Sequence, residues 1–150
     1  MSELRELYQQ VILDHNRKPR NFRKLEGANR TAEGVNPLCG DQITLYLKVR
    51  DDVIEEATFE GSGCAISRAA ASMMTASVAG KPTTEADALF HRVHAMLTAA
   101  PNGDAGDPPA GKLAVFAGVR EFPSRIKCAS LPWHTLRAAL RGAAAPVSTE

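Results

Sequence analysis

Aromatic side chains are scarce in this chain. Phe, Trp and Tyr make up 5% of its 150 residues, with one tryptophan. A core with so few rings must be built from aliphatic residues, and a hydrophobic content of 44% is enough for one domain of this length. Neither sign of charge dominates, with 18 basic and 17 acidic side chains and a formal net charge of +1. That balance gives no electrostatic reason to expect nucleic acid or an anionic membrane as partner. No apolar run reaches the roughly 18 residues that a membrane span needs. The start, Met1-Ser2-Glu3-Leu4-Arg5-Glu6, is charged and has no signal-peptide core. The expectation is a cytoplasmic protein whose thiols stay reduced. There is no GxGxxG and no P-loop, which argues against a nucleotide cofactor. No internal repeat or domain boundary is visible.

Cysteine is also scarce. There are three, an odd number that does not suit a closed disulfide framework. Each stands in a particular setting: Cys39 in Asn36-Pro37-Leu38-Cys39-Gly40-Asp41, Cys64 in Gly61-Ser62-Gly63-Cys64-Ala65-Ile66-Ser67, and Cys128 in Arg125-Ile126-Lys127-Cys128-Ala129. Reduced cysteines are most often plain core residues, but metal ligation and nucleophilic chemistry are alternatives. Three thiols with Asp41 make four donors, the number a tetrahedral zinc site needs.

The periodicity places these residues on elements. Leu4, Leu7, Tyr8, Val11 and Ile12 recur at helical spacing, so 3–15 reads as an amphipathic helix with Ser2 as its cap. Asp14 to Arg23 is rich in basic side chains and reads either as a solvated loop or as a docking strip for an acidic partner. Residues 30–36 form a short strand leading into the Cys39 loop. Ile43, Leu45, Leu47 and Val49 alternate with polar residues as a half-buried strand. Asp51-Asp52 is a tight turn, and 53–60 alternates again to complete a hairpin. The two ends that carry Cys39, Asp41 and Cys64 are then neighbours, despite a separation of 25 residues between the two cysteines. From Ala65 to Val78 the period becomes helical and stops at Gly80-Lys81-Pro82. Cys64 thus stands at a helix N-terminus, where a thiolate is favoured. Met73 and Met74 read as core filler. A further helix runs from Thr83 or Thr84 to about Thr98, with His91 and His94 on its surface. Residues 99–111 form a Gly- and Pro-rich flexible loop. Leu113 to Val119 is apolar. The last helix is expected from about Ser130 to Arg141, with Pro132 in its first turn and Cys128 just ahead of it. Residues 1–141 read as one domain, and the tail 142–150 as disordered.

Spacing by itself is weak support for a metal site, because there is no CxxC knuckle. The context is stronger: each cysteine adjoins a backbone break or a helix start, where a thiolate is stabilised and accessible. Gly40 lets the Cys39 and Asp41 side chains reach one point. His134, in Trp133-His134-Thr135-Leu136, is a rival partner for a cysteine nucleophile, but as a helical residue beyond Cys128 it reads as structural.

These motifs, with Ser72-Met73-Met74-Thr75, resemble the SufU branch of the IscU-like iron–sulfur assembly family, from about Leu7 to Leu140. The resemblance implies an α+β fold, a three-stranded antiparallel sheet packed against helices. IscU scaffolds carry a histidine before the third cysteine, where this chain has Lys127. The resemblance therefore implies a zinc-dependent sulfurtransferase rather than a scaffold for a transient iron–sulfur cluster. It implies Zn2+ on Cys39, Asp41, Cys64 and Cys128, a pyridoxal-phosphate cysteine desulfurase of the SufS type as sulfur donor, and downstream assembly components as recipients. Among the thiols, Cys39 is the expected acceptor, since it lies on a loop between Pro37 and Gly40 and can move at least cost to the core.

Overall fold

The computed structural model describes residues 2–98, 113, 116, 119, 122–142, 147 and 148. Three antiparallel strands form the body of the sheet: β1 (Arg30–Asn36), β2 (Asp41–Arg50) and β3 (Val53–Ser62), with β2 between the other two. The alternation read from the sequence is the alternation of burial. Ile43, Leu45 and Leu47 of β2 face the core at 2% exposure or less, and Ala57 and Phe59 of β3 join them. Asp51 and Asp52 turn the β2–β3 hairpin with φ of 53° and 61°. Both values are left-handed, as a twist-compatible two-residue turn requires, and Asp tolerates them.

Four helices are found among the described residues: α1 (Ser2–Arg17), α2 (Ala65–Val78), α3 (Thr83–Thr98) and α4 (Pro123–Arg141); α2 and α4 pack on the sheet, α1 against α2 and α3 against α4. The class is α+β. The core is aliphatic, with Met73, Met74, Val93, Leu97, Leu131 and Leu136 packed around the single Trp133, itself 1% exposed. Leu113, Phe116 and Val119 also turn inward, at the spacing of three that a 3₁₀ turn puts on one face. The loop expected over 99–111 lies outside the described residues. No described helix is long and apolar enough to cross a membrane.

Two expectations need correction. The last helix starts at Pro123, not near Ser130. Proline occupies its first positions there, where a missing N–H costs nothing, while Pro132 lies inside the helix. Cys128 is therefore a buried residue within α4 rather than an exposed one ahead of it. Pro132 has no N–H to give to the carbonyl four residues back, and that carbonyl belongs to Cys128. The tail also carries structure at two positions. Val147 and Ser148 form β4, parallel to β1 at Gly34 and Val35. The reason is that this side of β1 is otherwise a sheet edge with unpaired backbone groups.

One glycine sets how α4 meets the sheet. A Cβ on Gly34 would run into Thr135 Oγ1 and approach Leu131 Cδ1 to 3.0 Å. The bare backbone at Gly34 thus lets α4 lie directly on β1. Cys128 is one helical turn before Leu131, and Asn36 is the next inward position after Gly34. The close crossing brings those two together.

The basic stretch after α1 is fastened rather than loose. His15 is buried, its Nδ1 2.7 Å from Ser72 Oγ, and the Arg20 N–H donates to the same oxygen at 2.8 Å. Asn21 reaches Thr75, and Phe22 stands edge-on to Phe59 at 5.1 Å. Arg20 pairs with Asp14 and Arg23 with Glu56 on the surface. Exposed pairs of this kind contribute little to stability.

Candidate metal centre

The β1–β2 connection is four residues long, 37–40, and its closing pair is Asn36 opposite Asp41. The Cys39 N–H donates to the Asn36 carbonyl at 3.2 Å, a tight turn that fixes the cysteine at the loop tip. Gly40 follows at φ 69°, a left-handed value that suits glycine. Asp41 then enters β2, and because Gln42 pairs with Ser62, it lies beside the end of β3 and the start of α2.

Asp41 is 2% exposed and both carboxylate oxygens are engaged. Oδ1 accepts the backbone N–H of Cys64 at 2.8 Å, and Oδ2 accepts from Asn36 Nδ2 at 3.2 Å. Gly63 makes room for this: a Cβ there would stand 2.5 Å from Asp41 Oδ1. Cys64 is the N-cap of α2, its sulfur accepting the Ser67 N–H at 3.4 Å. Cys128 Sγ lies 3.2 Å from Cys39 Sγ and accepts from Asn36 Nδ2 at 3.4 Å.

The sulfurs of Cys39 and Cys128 and a carboxylate oxygen of Asp41 all lie within 4.8 Å of one another. Donors on one zinc ion can be no farther apart than about 4.6 Å, twice a Zn–S bond. So three of the four expected ligands are gathered on nearly that scale. Cys64 stands slightly back, with its sulfur 3.9 Å from Asp41 Oδ2 and outside the tight group. All three thiols are free.

The electrostatics fit a cation. Burial first, then hydrogen bonds to Cys39, Asp41 and Cys64, push the Cys128 thiol far above its ordinary range. A divalent ion beside a buried thiol favours its thiolate and so reverses that cost. The donor set, three sulfurs and one oxygen, suits zinc.

Asn36 was not among the expected site residues. It is fully buried, bonds to two of the expected ligands, and its own Oδ1 has no partner among the described residues. A sequence signal existed: Ala32, Gly34 and Asn36 are successive inward positions of β1, so an amide falls on an apolar face. His134 lies elsewhere. Its ring stacks edge-on against Phe90 at 5.3 Å and His94 at 5.5 Å where α4 meets α3. His94 is thus half-buried rather than a plain surface residue, whereas His91 is exposed beside Asp87.

The NifU-like N terminal domain family matches residues 7–129. The chain belongs to this family. Its relatives include a Streptococcus pyogenes protein named iron–sulfur cluster assembly scaffold protein IscU, 39% identical over 96% of this chain and 89% of that one. A Bacillus subtilis protein named zinc-dependent sulfurtransferase SufU is 42% identical over 87% of this chain and 86% of its own length. Among solved structures, a Fervidobacterium islandicum protein described as a candidate cluster-assembly scaffold of the SUF system superposes with a TM-score of 0.80. It is 34% identical over 87% of this chain and 94% of that one. A NifU-like N-terminal protein from Brucella abortus gives 0.79 at 26% identity, over 90% of this chain and 92% of its own. The family is one of iron–sulfur cluster assembly.

Proposed function

We propose that this chain is a zinc-dependent sulfurtransferase. It accepts sulfur from the persulfide of a pyridoxal-phosphate cysteine desulfurase of the SufS type and passes it on for iron–sulfur cluster assembly. The observation that carries the reading is the gathering of Cys39, Asp41 and Cys128 within one ion's reach, in a chain 42% identical to a protein named as such an enzyme. Cys39, Asp41, Cys64 and Cys128 would hold the zinc, which when bound keeps the thiols deprotonated.

Cys39 is the accepting residue. It stands on the four-residue loop and is half-buried, while Cys128 is enclosed. Leu38 beside it is 67% exposed, so the loop tip is open to a partner. Among the described residues, Cys128 Sγ receives an N–H from Asn36 and Cys64 Sγ one from Ser67, while Cys39 Sγ receives only the weaker S–H of Cys128. A sulfur whose lone pairs are not drawn into N–H bonds is the better nucleophile. Its thiolate attacks the outer sulfur of the donor's persulfide. A new S–S bond forms on Cys39, the donor's S–S bond breaks, and the donor cysteine leaves as a thiolate. No electron is gained or lost overall. The pyridoxal phosphate belongs to the donor.

Cys39→Ser should bind the desulfurase and fail to stimulate its turnover. Alkylation and mass mapping after reaction should place the persulfide on Cys39; a persulfide on Cys64 or Cys128 with Cys39 unmodified overturns the assignment. The scaffold reading is favoured by the 39% identity to a protein named for that role. Colour separates the two, because zinc is d¹⁰ and colourless while a bound cluster absorbs visible light. Coloured protein that holds a cluster and leaves desulfurase turnover unchanged would support the scaffold instead.

A further inference from the structure

One buried residue touches three of the four proposed ligands, and none of the chemistry above uses it. Asn36 donates from Nδ2 to Asp41 Oδ2 at 3.2 Å and to Cys128 Sγ at 3.4 Å. Its carbonyl oxygen accepts the Cys39 N–H at 3.2 Å. The side chain is fully buried, at the last inward position of β1. Its Oδ1 has no partner among the described residues, so the fold leaves one acceptor unsatisfied there. Turning the amide over would not cure this. It would set Oδ1 against the Asp41 carboxylate oxygen, two acceptors with no hydrogen between them, and leave only the weak S–H donor of Cys128 in place of a strong N–H. An apolar residue of the same size would remove the orphan but would also remove both N–H bonds. A buried polar group that is only partly satisfied is uncommon and calls for a reason beyond packing.

We propose that Asn36 is a positioning residue for the thiol–carboxylate centre. Its one amide clamps Asp41 and Cys128 at metal-binding separation and lowers the donor strength of the Cys128 sulfur, so that Cys128 is held while Cys39 is free to react. The inference rests on the ligand assignment proposed above. Residues behind a metal's ligands fix their orientation and strength, and losing one typically costs about 10- to 100-fold in metal affinity. The structural cause is specific. Cys128 comes from α4 and Asp41 from β2, and the Asn36 amide bonds to both at once.

The test uses the full chain and the metals alone. Parent, Asn36→Leu and Asn36→Ser proteins are compared for zinc affinity by competition with a chromophoric chelator, and for the sulfur-to-metal charge-transfer absorption of the Co2+ form. Asn36→Leu should fold and bind zinc about 10- to 100-fold more weakly. Its Co2+ charge-transfer band should move to lower energy, as expected for a sulfur that has lost an N–H bond. Asn36→Ser keeps one donor for two acceptors and should fall between the two. A folded Asn36→Leu with parental affinity and an unshifted band overturns the inference. If the leucine variant does not fold, an Asn36→Ser protein identical to the parent in both measurements overturns it. A parent that binds neither metal sinks the ligand assignment itself, whereas a parent that binds zinc beside unaffected variants sinks only the role of Asn36.

Discussion

Gly63→Ala tests the centre at its tightest point. The added Cβ would stand 2.5 Å from Asp41 Oδ1, 3.1 Å from its Cα and 3.2 Å from its Cβ. Ordinary van der Waals contact begins at 3.4 Å, so the oxygen must retreat by about 0.9 Å. It cannot do so alone, because the whole residue is crowded and lies at the first position of β2, next to the Gln42–Ser62 pair. Retreat stretches the 2.8 Å bond from the Cys64 N–H to that oxygen beyond hydrogen-bonding range. A hydrogen bond to a charged group contributes about 1.5–3 kcal/mol. Overpacking costs roughly 1–3 kcal/mol more. A combined loss of about 2.5–6 kcal/mol lowers Tm by on the order of 10 °C in a protein of this size. Because the same displacement moves Asp41 off the other ligands, zinc affinity should drop as well, by roughly the 10- to 100-fold seen when a ligand's support is lost. Gly40→Ala is the matched control. It adjoins two proposed ligands, yet its Cβ would meet nothing within 4 Å. It costs only left-handed backbone strain of about 1–2 kcal/mol. Calorimetric melts of chelator-treated protein and a zinc competition titration read both quantities. A Gly63→Ala protein that melts and binds zinc as the parent does, or that loses no more than Gly40→Ala, refutes the reasoning.

The other predictions probe the surroundings. Gly34→Ala wedges α4 off β1 through Thr135 and Leu131, and should lower Tm and weaken zinc binding together, since Cys128 rides on α4; a lowered Tm with unchanged zinc affinity would break that link. His134 has its pKa lowered, first by burial and then by His94 and Arg137. The unfolded chain therefore takes up this proton at a higher pH than the native state does. Stability is full above about pH 6.5 and declines as pH falls, and His134→Asn should flatten that decline in thermal melts from neutral to mildly acidic buffer. An unchanged slope counts against it. Tyr46 donates to Glu60 at 2.6 Å, and that bond, with burial, raises its pKa to about 12. The stability tied to this shift is present below the ordinary tyrosine range and lost as pH rises through 12. Glu60→Gln should bring the Tyr46 ionisation, followed by ultraviolet absorbance, back toward about 10.

What was legible in the sequence was whatever depends on near neighbours. The period-2 runs gave β2 and β3, and Asp51-Asp52 their turn. The apolar spacing of α2 and α3, with their Gly and Thr punctuation, gave those helices to within a residue or two. Because Cys39, Asp41 and Cys64 lie at the ends of strands joined by short connections, pairing alone brings them close. Cys128 was different. The expected start near Ser130 puts Pro132 in a first turn, where proline is common, yet Pro123 fills that role and Pro132 sits inside. Ile126, Ala129 and Trp133 continue the apolar stripe that the interior proline disguised. The approach of Cys128 to the strand end depends on bare backbone at Gly34, a tertiary contact that no local pattern encodes. Asn36 escaped for a related reason: its inward position was readable, but its partners come from a distant helix.

The three sulfurs are chemically alike, so the fold must assign their roles. Cys128 is enclosed within a helix that packs on β1, and it receives an amide N–H. Moving it would mean moving α4. Cys64 caps α2, and its sulfur and its backbone N–H are both committed, one to Ser67 and the other to Asp41. Moving it would uncap a helix whose first turn carries no acidic residue to compensate. Cys39 is held by one backbone bond at the tip of a four-residue loop, beside an exposed leucine. Its side chain can swing outward while β1 and β2 keep their register, because the closing pair is Asn36 and Asp41, on either side of the loop. The difference is one of constraint rather than of intrinsic acidity. It follows that exchanging the surroundings should exchange the roles: loosening Cys128 at Asn36 should make it compete with Cys39 for an alkylating agent, and stiffening the loop with Gly40→Ala should slow Cys39 alone.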